Sequence, residues 1–150
     1  AASVTLNFNH PIKELVFQSD TSAEGVRTDF GGADNILLKL NGHDRFSARP
    51  KSYFTQTQVW QHHTGTPVKA PAAALTGVLS SGPGNASTLQ IGVYSFALKP
   101  EEHQPSGTCN FSRIDNAILS GVSSTAFDIY AVNYNVLRIM SGMGGLAYSN

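Results

Sequence analysis

The sequence predicts an all-β fold, an antiparallel β-sandwich, from three observations. Apolar residues recur at every second position in several short runs, 14 Gly and 7 Pro are scattered over all 150 residues, and hydrophobic residues reach 41% against only 13% charged. The first is the period of a half-buried strand, the second suits many short strands joined by turns, and the third supplies a core that a charge-rich disordered chain lacks. The length fits one domain with one core.

Residues 2–9 alternate, with Val4, Leu6 and Phe8 on one side and Ser3, Thr5 and Asn7 on the other. They read as a strand that Pro11 breaks or bends. Residues 14–18 and 36–40 are two further strands, separated by a turn-rich stretch at 20–35 that holds Gly25, Gly31 and Gly32. The second of them ends at Asn41-Gly42, a strong turn dipeptide. Pro50 suits the first position of a short helix running to Trp60, in which Tyr53, Phe54, Thr57 and Trp60 share a face. Residues 69–87 are dominated by Ala, Pro, Gly, Ser and Thr, a composition that builds no core and reads as a long exposed loop.

Residues 91–98 are apolar on both faces, as in a central strand covered on both sides. Strands over 113–119 and 127–140 follow, the latter being two strands or one bent strand because Asn133 and Asn135 interrupt it, and 141–150 form a glycine-rich tail. Six to eight strands, at most one short helix, no internal repeat and no linker are therefore expected.

Ten Lys and Arg balance ten Asp and Glu, and the basic residues are dispersed. Such a chain has no net field to draw in a phosphate backbone, so direct binding of nucleic acid is not expected. A weakly charged surface is safest when it is already committed to partners, which hints at assembly. Cys109 is the single cysteine and cannot form an intrachain disulfide, so a reducing, intracellular origin is the default. No apolar run approaches the roughly 20 residues of a membrane span, and the amino terminus lacks the order of a signal peptide. The start at Ala1 reads as that of a fragment or a processed product.

Each candidate for chemistry has a plainer reading. His103 lies six residues before Cys109, the raw material of a thiol nucleophile, but cysteine is among the most buried residue types and Cys109 is expected in the core. His62 and His63 are adjacent, so their side chains diverge on a strand or a helix and no metal is expected; a cupin-like site needs His-x-His, which is absent. Glu101 and Glu102, neighbours after Pro100, diverge likewise and read as a solvated turn in place of a glycosidase pair. The run Ser141-Gly142-Met143-Gly144-Gly145 lacks the Lys-Ser/Thr of a P-loop and opens no helix. Two glycosylation sequons occur, at Asn85 and Asn110, of which Asn85 has the more surface-like surroundings. No catalytic residue, cofactor, metal or small-molecule substrate follows from this inventory.

Four stretches carry a specific resemblance. Asn7-Phe8-Asn9-His10-Pro11 stands within residues 6–15, and residues 40–46 are followed by Gln61-His62-His63. Residues 94–116 contain Gln104-Pro105-Ser106-Gly107, Cys109-Asn110-Phe111-Ser112, Arg113 and Asp115, and residues 131–150 contain Arg138, Gly142, Gly144 and Gly145. In order and across nearly the whole chain these resemble the major capsid proteins of nucleocytoplasmic large DNA viruses, the chlorovirus, iridovirus and mimivirus group.

The resemblance implies a structural protein of an icosahedral double-stranded DNA virus, not an enzyme. Its subunit has two tandem jelly rolls and assembles as a homotrimer of hexagonal outline that tiles the capsid. It also implies contacts with neighbouring capsomers and minor capsid proteins, synthesis in the host cytoplasm and a final place in the virion shell. Residues 1–150 would be the later part of the second jelly roll, without its opening strand, and 69–87 an outer loop that differs between viruses. The motif residues named above would serve assembly or structure. Pro105 and Gly107 suit a turn with one positive dihedral, and Arg113 and Asp115, two apart on a strand, suit a pair with each other or across an interface, or simply hold the turn. The competing reading from another class is a monomeric carbohydrate-binding sandwich, with Trp60 and Tyr53 stacking on sugar rings.

Overall fold

A computed structural model of the chain describes residues 3–19, 35–65, 91–122 and 127–148. The expected turn-rich stretch at 20–35 and the loop at 69–87 fall almost wholly outside them. Two antiparallel sheets enclose one core. The first is built from β1 (Ser3–Thr5), β3 (Asn35–Leu40), β4 (His43–Asp44), β5 (Arg49–Pro50) and β8 (Ala117–Ser120), in the order β1-β8-β3-β4 with β5 also paired to β3. In the second, β2 (Pro11–Ser19) lies between β9 (Phe127–Asn133) on one edge and β6 (Ile91–Ser95) with the short β7 (Cys109–Asn110) on the other. A separate hairpin, β10 (Leu137–Met140) and β11 (Met143–Leu146), follows.

Alternation sets what each strand buries. Ile36 and Leu38 on β3 and Ala117 and Leu119 on β8 point inward, and the ladders place Val4, Leu119 and Leu38 in one row. Opposite them lie Ile12, Leu15, Phe17 and Tyr94 of the second sheet, closed at the ends by Leu6, Phe54, Phe111 and Val122. Each such Leu, Ile or Phe contributes about 1.5–3 kcal/mol by leaving water.

The inward residues of β2 are spaced three and then two apart. A register shift in the β2–β9 ladder between Ile12 and Glu14 accounts for it: one extra residue flips the strand, so Ile12 and Leu15 both reach the core while Glu14 turns to the other face. The turn at Asn41-Gly42 is as expected, a two-residue loop with φ of 51° and 80° joining Leu40 to its partner His43. Positive φ at both positions is the hairpin turn that matches strand twist. The Asn41 side chain then accepts from the amides of Asp115 and Asn116 at 2.9 and 3.1 Å, fastening the approach to β8.

Five expectations are corrected. The first strand ends at Thr5, not residue 9, because 6–10 is the crossing from one sheet to the other. Arg113 belongs to a 3-10 turn (Phe111–Arg113), and β8 starts only at Ala117; Arg113 and Asp115 are both exposed. Residues 92–95 are buried while Ile91 and Leu98 are exposed, and within the second sheet β2 is the strand with ladders on both edges; among the described residues β6 pairs with β2 alone. The tail at 141–148 is a hairpin arm with a second two-residue turn, Ser141 and Gly142 at φ 50° and 75°.

The helix is the fifth. Pro50 ends β5, and the helical stretch is a π-helical turn (Tyr53–Thr57) running into α1 (Gln58–His62). Its buried residues are Phe54, Thr55 and Gln58, whereas Trp60 is 68% exposed. Phe54, Thr55 and Gln58 stand at i, i+1 and i+4 on one face of the helical segment, and Trp60 falls on the other side. No side chain caps the amino end. Tertiary packing of Phe54 against Phe17, Phe46, Tyr53 and Tyr94, with ring centroids 5.1–6.5 Å apart, holds the segment in place of propensity.

Candidate functional site

The motif residues gather in three places. At the first, Asn7-Phe8-Asn9-His10-Pro11 is the corner where the chain leaves one sheet for the other. His10 is buried with φ 70°, an uncommon conformation for a residue with a Cβ. Its amide donates to Ser112 Oγ at 2.9 Å, and its carbonyl accepts from Phe111 N at 3.1 Å. Phe8 packs edge-on against Phe111, Asn133 Nδ2 donates to the Asn9 carbonyl, Tyr134 N donates to the Pro11 carbonyl, and the Tyr148 ring lies 6.2 Å from His10. Segments from the start, the middle and the end of the chain therefore meet on one bend.

The sequon at Asn110 is folded into this corner. Its Oδ1 accepts from Ser112 N, and the Ser112 hydroxyl is engaged by His10. Asn85 lies outside the described residues.

The second place is a clamp around His63. Its Nε2 is 2.9 Å from Glu14 Oε2 and its Nδ1 is 3.0 Å from Glu101 Oε1. Carboxylates only accept, so the three groups are complementary when the ring carries hydrogens on both nitrogens. Glu101 also accepts from Thr64 N and Thr64 Oγ1, at 3.0 and 2.7 Å. These two bonds, with a smaller contribution from His63, hold the Glu101 carboxyl below the usual carboxylate range. His62 diverges as expected and donates from Nδ1 to the Leu98 carbonyl at 3.1 Å.

Gln58, one turn earlier, spans the edge of β6: its Oε1 accepts from Ser95 N at 3.1 Å and its Nε2 donates to the Tyr53 hydroxyl at 2.7 Å. The helix thus seals an outer strand edge and rivets it to β2 and to the loop after β6. Residue counting missed Glu14 and Glu101 here. Glu101 pairs with His63 and Thr64, while Glu102 pairs with Lys99 at 3.2 Å. The available signal was Glu14 itself, a carboxylate within the apolar run of β2 that needs a partner.

In that same loop Gln104 and Pro105 are exposed, and the Ser106 hydroxyl accepts from Lys99 N at 2.9 Å. Gly107 has φ 145°, and a Cβ there would come within 2.7 Å of the Phe96 carbonyl oxygen, so the turn tolerates only glycine.

The third place is apolar surface. The hairpin carrying Arg138, Gly142, Gly144 and Gly145 is exposed throughout, and Tyr130 and Val132 on β9 are exposed beside it in sequence.

The arrangement offers little to a reaction. Cys109 is half-buried against the core, and burial pushes its thiol pKa up. Among the described residues no three His, Cys, Asp or Glu converge as metal ligands. Tyr53 is tied into the core by Phe54 and Gln58 and does not stand beside Trp60 as a stacking platform.

The whole chain aligns with the major capsid protein of Pyramimonas orientalis virus at 49% identity, covering 39% of that protein. A family model described as the large eukaryotic DNA virus major capsid protein matches residues 83–124. The chain is similar to that family's proteins over its whole length. The major capsid protein of Paramecium bursaria Chlorella virus 1 is 36% identical over 99% of this chain and 43% of its own length. A chain from a quasi-atomic model of the PBCV-1 virus capsid superposes with a TM-score of 0.70 and 33% identity, over 99% of this chain and 46% of that one. The Faustovirus major capsid protein, 10% identical with a TM-score of 0.55 over 88% of this chain and 31% of its own, shares the fold alone. The antiparallel sandwich is the jelly-roll fold of these capsid proteins. The chain spans less than half the length of the relatives it matches.

Proposed function

We propose that this chain is the shell-forming carboxy-terminal jelly roll of a major capsid protein, whose subunit carries a further jelly roll and assembles as a homotrimer tiling an icosahedral capsid. Residues 1–150 are most of the second jelly roll in this reading, and residues 69–87 its outward, virus-specific loop. Neighbouring capsomers and minor capsid proteins are the partners. The virion shell is the destination after synthesis in the host cytoplasm.

The observation that carries the reading is the match over the entire chain at 49% identity to a viral major capsid protein. A second supports it: large apolar side chains stand exposed on β9 and on the closing hairpin, where a monomer gains nothing from them and an assembling subunit does. We assign no catalysis, because burial disfavours the thiolate of Cys109 and the paired carboxylates and histidine hold one another. Arg138 and the hairpin glycines serve assembly, whereas the corner and clamp residues serve the fold.

Native mass and electron microscopy of the intact gene product test this. A particle of three subunits with hexagonal outline is expected. A monodisperse monomer that binds oligosaccharide through Trp60 would replace the reading with the carbohydrate-binding alternative.

A further inference from the structure

The hairpin β10–β11 is out of keeping with the rest of the molecule. Its cross-strand partners place Leu137, Leu146, Ile139 and Gly144 on one face and Met140, Met143, Arg138 and Gly145 on the other. Every residue of both strands is exposed. Its two legs are closed on each other by Ala147 N to the Val136 carbonyl at 2.7 Å and by the Asn135 side chain to Tyr148 at 3.0 and 3.3 Å, and the body is met at their foot, where Tyr134 N donates to the Pro11 carbonyl and the Tyr148 ring lies 6.2 Å from His10. A two-stranded hairpin on its own is marginal in water, and one that is apolar on both faces is suited to insertion between surfaces.

The glycines are equally unexplained from within. A Cβ on Gly145 would meet nothing within 4 Å, and one on Gly144 only Ile139 Cγ1 at 3.9 Å. Neither position needs glycine for this chain's own packing. Glycine inside a strand costs about 0.5–1 kcal/mol relative to alanine. A strand stripped of side chains at its centre lets another backbone approach closely.

We propose that this hairpin is the docking arm between copies of the chain, inserted into a neighbouring subunit whose backbone closes on Gly144 and Gly145. The inference rests on the capsomer reading and names the element that makes the contact. Val136, Leu137, Ile139, Met140, Met143 and Leu146 are each 52–74% exposed. Together they offer on the order of 700 Å², close to the roughly 800 Å² per partner of a standard specific interface. Ten positive and ten negative side chains leave no net charge to oppose the approach of an identical copy. Tyr130 and Val132 of β9, joined to the arm in sequence through residues 133–136, are exposed as well.

The test uses the intact protein with Gly145→Val, and Leu146→Asp as a second variant. Valine has open space in the subunit and suits a strand, so folding, read by circular dichroism and protease resistance, is unchanged. Light scattering across a concentration series then shows Gly145→Val and Leu146→Asp as folded single subunits where the wild type is oligomeric, with at least a tenfold weaker association. Variants that assemble like the wild type overturn the docking arm and leave the capsomer reading intact. Variants that lose their fold before any change in association also overturn it, because the arm is then covered by its own polypeptide. A wild type that is itself monomeric removes the capsomer reading and the arm with it.

Discussion

Replacing His63 by alanine strips two carboxylates of one partner, and the two do not suffer equally. Glu101 faces solvent and keeps its bonds from Thr64. The Glu14 side chain is only 10% exposed, its contact with His63 is 2.9 Å long, and the ring is 21% exposed. An exposed pair is worth at most about 1 kcal/mol, and breaking a fully buried one costs about 3–5 kcal/mol. This pair lies between, in the range of about 1.5–3 kcal/mol for a hydrogen bond to a charged group. For a domain of this size that lowers Tm by about 3–12 °C, at roughly 2–4 °C per kcal/mol. Urea unfolding of the intact protein at one concentration, for His63→Ala, Glu14→Gln and the double variant, measures the coupling directly. His62→Ala, which removes one exposed bond to Leu98, is the control and is expected to lose less. A single-variant loss under about 0.5 kcal/mol, or a coupling energy near zero, would show that the clamp is a geometric coincidence.

Helix phase is checked by a pair of truncations: Phe54→Ala empties a site with no exposure and is expected to cost about 3–5 kcal/mol in urea unfolding. Trp60→Ala, at an exposed position, is expected to stay within about 0.5 kcal/mol; the reverse ranking would restore the face counted from the sequence. The Glu101 carboxyl is held below its ordinary value of 4.5, so its stabilisation is fully present above that value and is lost as pH falls through the depressed one. Melting wild type and Glu101→Gln across pH 3–7 should show a constant gap at neutral pH that closes in the acid limb, and a gap independent of pH would refute the bonding described. Burial raises the Cys109 pKa, so alkylation by iodoacetamide at pH 8 should be slower than for a free thiol, and Cys109→Ser should leave assembly intact; fast labelling or lost assembly would count against a passive role.

The limits of the pattern are visible at particular residues. Alternation put Val4, Leu6 and Phe8 on one side, and all three lie in or against the core, because two faces and a period of two leave a strand no other way to bury them. The Asn41-Gly42 turn was legible for the same local reason, since both residues accept positive φ. At Ile12 to Leu15 the alternation fails, because a bulge is a property of a ladder and depends on β9, more than a hundred residues away. At Trp60 the count fails because the side of the helix that is buried is set by what Phe54 packs against. The motif around His10 was recognisable as a motif, but its role as a corner was not, since the bonds that hold it come from Ser112, Asn133 and Tyr134.

Local rules therefore determined the fold class, the strands around the core, the two glycine-dependent turns and, through resemblance, the family. Only the tertiary structure decided which carboxylates meet His63, which side of the helix is buried, and that the glycine-rich end is an apolar arm open on both faces. The physical reason is range: dihedral preference and side-chain period act over a few residues. Pairing of a buried charge, the phase of a helix against a sheet and the covering of a hairpin are settled by groups brought together from distant parts of the chain.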